Sequence, residues 1–117
     1  MAISDARRYR RFPVKCSVEL SSASGLQTCE VEDLGAGGCR LNVLFPLQRQ
    51  QAVRIRLRGD RGALEPTGQA TVVWSSRDPP YKVGLAFSEP LAEQVIKFIH
   101  ALLGPVSLLT PQGGQGR

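Results

Sequence analysis

Apolar and polar positions alternate along the chain from Phe12 to Phe87 and then change period. Val14, Cys16, Val18 and Leu20 alternate with Lys15, Ser17, Glu19 and Ser21, which predicts a half-buried first strand over 12–21. Ser22-Ala23-Ser24-Gly25 has turn chemistry. A second strand is expected over 26–33, with Cys29 and Val31 on its apolar face and Glu30 and Glu32 toward solvent. Gly35-Ala36-Gly37-Gly38 breaks it, and Cys39, Leu41 and Val43 alternate with Arg40 and Asn42 in a third strand, so the pair reads as a hairpin. After a polar connection over 46–51, Val53, Ile55 and Leu57 alternate with Arg54, Arg56 and Arg58 in a fourth strand with one basic face. A fifth strand is expected over 68–75, with Ala70, Val72 and Trp74 sharing one face. Asp78-Pro79-Pro80 ends it, and a sixth runs over 81–87, placing Val83, Leu85 and Phe87 on one side and Gly84 and Ala86 on the other.

Beyond Phe87 the spacing becomes helical: Leu91, Val95, Phe98, Ile99, Leu102 and Leu103 recur along one stripe. Ser88 suits an N-cap, Pro90 the first turn, and Glu89 and Glu93 the positive end of the dipole, while Gly104-Pro105 stops the helix. The expected fold is mainly β: a small six-stranded antiparallel β-barrel with one C-terminal α-helix. Residues 1–11 read as a flexible arginine-rich arm, 12–104 as the barrel plus helix, and 105–117 as a disordered tail.

Size and charge narrow the function. The 117 residues suffice for one domain. No apolar run is long enough to insert in a membrane, and no apolar stretch follows the first basic residues as a secretory signal would require; a cytoplasmic location is expected. The net charge of +5 favours an anionic partner. Cys16, Cys29 and Cys39 form no C-x-x-C pair, and His100 is the sole histidine, so the cysteines read as small buried side chains and not as a disulfide framework or metal site. With no second histidine and no nucleophile motif, the chain reads as a binding module and not an enzyme, and no cofactor is expected.

Two segments carry candidate chemistry. Four arginines occur in the five residues Arg7-Arg8-Tyr9-Arg10-Arg11, just ahead of the first strand. Their planar forks hold phosphate oxygens and guanine edges two bonds at a time. The second segment is Asp33-Leu34-Gly35-Ala36-Gly37-Gly38. A strand follows it and no lysine closes it, so it is neither a dinucleotide fingerprint nor a P-loop. Its glycines permit positive φ for a hairpin turn, or close approach of a ligand to the backbone.

The order of these elements resembles the PilZ domain, the bacterial module that binds cyclic di-GMP. That family's pattern is an R-x-x-x-R arm, a strand beginning near Pro-Val, a (D/N)-x-S-x-x-G motif, and a G-(V/L/I)-x-F strand before a helix. Here stand Arg7-x-x-x-Arg11, Phe12-Pro13-Val14, Asp33 to Gly38, and Gly84-Leu85-Ala86-Phe87. The resemblance implies a cyclic di-GMP receptor with a PilZ-like split barrel. Arg7 and Arg11 would take phosphates and the Hoogsteen edge of a guanine, with Arg8 and Arg10 assisting. Asp33 would accept from guanine N1–H and N2–H. Gly35 and Gly38 would let the ligand lie on the backbone. Arg40 would add a contact, its other reading being a solvent-facing strand residue. Ordering of the arm would pass the signal to a separate, unidentified downstream protein.

The family serine falls on Gly35. Losing one neutral hydrogen bond costs about 0.5–1.5 kcal/mol, which weakens a site without erasing it. This glycine favours a second reading, a PilZ-like adaptor that binds nucleotide weakly or not at all and acts by protein contacts in motility or pilus assembly. A third reading, a nucleic-acid-binding barrel, is disfavoured: the seven aromatics (one Trp, two Tyr, four Phe) do not interleave with basic residues along any strand. Whether one or two nucleotides bind, and whether the protein is a monomer or a homodimer, is not decided by the pattern.

Overall fold

A computed structural model describes residues 10–59 and 65–108. Six strands precede one helix: β1 (Ser17–Ser22), β2 (Gly25–Leu34), β3 (Gly38–Asn42), β4 (Ala52–Arg58), β5 (Thr67–Ser75), β6 (Lys82–Phe87) and α1 (Glu89–Leu103). They close into the expected antiparallel barrel, in the order β1-β2-β3-β6-β5-β4. The β1–β4 pairing, with Val18 opposite Leu57 and Leu20 opposite Ile55, shuts the wall and removes both free edges.

The first strand is shorter than its alternation suggests. Pro13 has no N–H to donate, and regular pairing starts at Ser17. Phe12 nevertheless reaches the far end of β2. It forms an isolated antiparallel bridge with Leu34, its N–H donating to the Leu34 carbonyl at 2.8 Å and Leu34 N–H returning the bond at 2.9 Å.

The inward-facing residues fill the barrel. Val18, Leu20, Cys29, Leu41, Ile55, Leu57, Val72, Val83 and Leu85 are buried, as the alternation requires. The thiols belong to this packing: burial raises the pKa of Cys39, and pushes that of Cys29 up to about 11, so both remain protonated near neutral pH. Helix α1 packs on the barrel with Leu91, Val95, Phe98 and Ile99 buried. Ser88 caps it, its side chain accepting from Leu91 N–H, and Gly104 at φ 81° ends it. Leu91 lies so close to Gly68 that a Cβ there would stand 3.0 Å from it. Gln94 ties helix to sheet by accepting from Thr67 N–H and donating to Thr67 O, both at 3.1 Å. Val106 and Leu108 continue the packed body past the helix, and the rest of the expected tail lies outside the described residues.

Leu85 is fully buried on a strand paired on both sides. Leu85→Ala is expected to lower the unfolding free energy by about 2–5 kcal/mol in chemical denaturation. Leu44→Ala, at a side chain 74% exposed, is expected to change it by less than about 0.5 kcal/mol.

Candidate functional site

The site is built by two β-bulges. Along β2, Gln27, Cys29 and Val31 are buried, so strict alternation would send Asp33 inward. The β2–β3 register instead shifts between Val31 and Asp33. The extra residue reverses the alternation: Leu34 becomes fully buried, and Asp33 faces outward beside its β3 partner Arg40. A second shift, between Val72 and Trp74, does the same in β5. Trp74 therefore does not share the buried face of Ala70 and Val72, as expected from spacing; it stands on the outer face, 36% exposed.

These shifts align one row across four strands. Asp33 pairs with Arg40, Arg40 with Gly84, and Gly84 with Trp74. The indole lies on Gly84, where any side chain would collide with its Nε1, Cδ1 and Cε2 atoms. The Arg40 guanidinium sits 5.7 Å from the indole centroid, within cation–π range. Its Nε lies 3.7 Å from Asp33 Oδ2 and its Nη1 3.7 Å from Glu32 Oε1, while Lys82 Nζ pairs with the other oxygen of Glu32.

The arm reaches the same carboxylate from the opposite side. Arg11 Nη1 donates to Asp33 Oδ1 at 2.8 Å, bringing together residues 22 positions apart in sequence. Arg10 places its guanidinium 5.2 Å from the Phe12 ring centroid, and its N–H donates to the Leu108 carbonyl at 2.8 Å. The glycine-rich loop closes beneath the arm. Gly35 N–H donates to Gly38 O, and Phe87 N–H anchors the loop through Gly37 O, each at 2.9 Å. None of these loop glycines adopts positive φ, so a turn requiring such angles does not account for them.

Of the residues singled out from sequence, Arg11, Asp33, Gly35, Gly38 and Arg40 converge here, and Arg7 and Arg8 lie outside the described residues. Arg40 is exposed, as a solvent-facing strand residue would be, and engages Glu32, Asp33 and Trp74. Trp74, Glu32 and Lys82 were missed, because a row across strands depends on register and bulges that spacing within one strand does not reveal. The basic face of β4 is a separate feature. Arg56 and Arg58 bond Glu19 at 3.1 and 2.8 Å, and these hydrogen bonds, that from Arg58 foremost, hold the Glu19 carboxyl below its usual range. A hollow of about 670 Å³ beside them, lined by Val14, Lys15, Cys16, Glu19, Glu30 and Arg58 among others, includes none of the expected ligand-binding residues.

Comparison with known proteins supports the motif pattern. The model of the PilZ domain matches residues 5–104. A search of curated proteins found no match. Among solved structures, the PilZ domain of CeSA from a cellulose-synthesizing bacterium is similar at TM-score 0.60 and 19% identity, covering 80% of this chain and 97% of that one. The PilZ domain of Escherichia coli YcgR with c-di-GMP gives 0.64 and 18%, covering 82% and 90%. The Bacillus subtilis inhibitor of motility MotI/DgrA gives 0.64 and 18%, covering 86% of this chain but 52% of that longer one.

Trp74, the chain's one tryptophan, reports on the row. Gly84→Ala is expected to lift the indole from its seat, shifting its fluorescence to the red at a stability loss of about 1–3 kcal/mol. An unchanged emission spectrum would contradict the stacked arrangement.

Proposed function

The chain belongs to the PilZ domain family, and from that membership and the charges gathered around Asp33 we propose that it is a cyclic di-GMP receptor that signals through a partner protein. The observation that carries this reading is the convergence of Arg11 and Arg40 on Asp33, from three separate segments of the chain, on an open face of the barrel. The chemistry matches the ligand. Guanine offers O6 and N7 to a guanidinium and N1–H and N2–H to a carboxylate, and each phosphodiester carries one negative charge. Arg11 takes the Hoogsteen edge and Asp33 the Watson–Crick edge. Arg7, with Arg8 and Arg10, takes phosphates, and Arg40 adds positive charge at the rim. Gly38 keeps the floor of the site at backbone height.

The output is the position of the arm. Arg10 and Arg11 lie along the end of β2, held by one backbone bond to Leu108 and a partly exposed ion pair, just ahead of Phe12, which is buried in the core. A ligand that takes over those charges repositions the segment and changes the surface offered to a partner. No catalytic step is needed for this role. The alternative reading, an adaptor that works by protein contacts with little or no nucleotide, draws on Gly35 and on the direct Arg11–Asp33 pair.

Calorimetric titration with cyclic di-GMP is expected to show saturable heat, and no heat at tens of micromolar would sink the receptor reading. Arg11→Ala is expected to abolish binding. Arg58→Ala is expected to leave it almost unchanged, because Arg58 is engaged with Glu19 and Glu65 on β4, outside the Asp33 row.

A further inference from the structure

Gly35 replaces the serine of the family pattern, and its surroundings show what the missing side chain would have touched. Its φ is not positive, so backbone torsion does not call for glycine. Space does. A Cβ at position 35 would stand 2.7 Å from the carbonyl oxygen of Arg10, 3.5 Å from its carbonyl carbon and 3.7 Å from Arg11 Cα. The first distance is shorter than real Cβ contacts, and the atoms met are backbone, so no side-chain rotation relieves it. The bare glycine is what admits the arm to this depth.

The arm brings its own cation to the acceptor that a guanine needs. With Arg11 Nη1 at 2.8 Å from Asp33 Oδ1, guanidinium and carboxylate are in direct contact, and no base fits between them. A guanine that offers one edge to Arg11 and the other to Asp33 has to part them first. Arg10 N–H bonded to Leu108 O and the Phe12–Leu34 bridge hold the arm on either side of that pair.

We propose that Gly35 sets ligand affinity by letting the arm dock in cis as a competitor of the nucleotide. This rests on the receptor reading above, since the ligand excluded is cyclic di-GMP. Glycine at this position therefore acts twice: it removes the hydroxyl that serine would offer, and it stabilises the closed state in which Arg11 occupies Asp33. Binding requires the arm to release the carboxylate and withdraw from the loop. Apparent affinity is the intrinsic affinity multiplied by the fraction of molecules in which the arm is already released.

Gly35→Ala separates the two effects, because it adds the Cβ without the hydroxyl. In amide exchange followed by NMR, the variant is expected to lose protection at Arg10, whose N–H bonds Leu108 O, while core amides such as Phe12, Leu41 and Leu85 stay protected, showing that the fold is retained. In calorimetry it is expected to bind cyclic di-GMP about fivefold more tightly than the wild type, the scale of one partly exposed ion pair. Gly35→Ser is expected to gain at least as much. Unchanged protection at Arg10 in Gly35→Ala overturns the proposal. So does a wild type that binds while a loosened Gly35→Ala binds no more tightly; the receptor reading then stands. If neither wild type nor variants bind cyclic di-GMP, the receptor reading fails and the competition with it; loss of arm protection in Gly35→Ala then supports the docking role of Gly35 alone.

Discussion

One extra residue in β2 decides which side of the barrel wall carries the charge of Asp33. Without the register shift after Val31, the alternation that buries Gln27, Cys29 and Val31 would drive a carboxylate into an apolar core. Burying an unpaired charge there is prohibitive. The bulge turns Leu34 inward and Asp33 outward, and the rest of the site follows from the pairing of β3 between β2 and β6. A slip of one residue anywhere in that ladder would exchange the faces and dissolve the row from Asp33 to Trp74. The bulge in β5 repeats the device for an aromatic ring, and Gly84 supplies its seat.

The barrel and the arm differ in how firmly they are held. The wall is closed by continuous ladders around fully buried aliphatic side chains, with α1 packed against it. Phe12 is anchored in the core and bridged to Leu34, and ahead of it Arg10 and Arg11 are held by one backbone bond to Leu108 and an ion pair whose side chains are 28% and 21% exposed. Ion pairs of that exposure contribute at most about 1 kcal/mol. The wall presents Asp33 and Arg40 in fixed register, beside a segment that is lightly held ahead of Phe12. The contact of Arg10 with Leu108 also joins the arm to the segment beyond α1, so its position bears on both ends of the described chain.

Gly35 illustrates why a departure from a family motif cannot be valued by counting the bonds it removes. On that count, serine to glycine subtracts one hydrogen bond. In the folded protein the same change also leaves the space into which the Arg10 carbonyl settles, where a Cβ would stand 2.7 Å from its oxygen. A substitution thus changes what its neighbours can do as well as what its own atoms can bond.

The sequence alone determined the six strands, the capped helix, the inward set of aliphatic residues and the two motif segments, because each depends on period, turn chemistry or composition within a short window. Val18, Leu20, Ile55, Leu57, Val83 and Leu85 are buried as their alternation requires, and Ser88 and Gly104 end the helix as their types suggest. Tertiary structure alone decided the outward turn of Asp33 and Trp74, the seating of the indole on Gly84, and the use of Gly35 to admit the arm and not to turn the chain. Those outcomes depend on where one strand slips by a residue against its neighbour and on how close two backbones come. Both are set by contacts between segments far apart in sequence, to which a pattern read along one strand is blind.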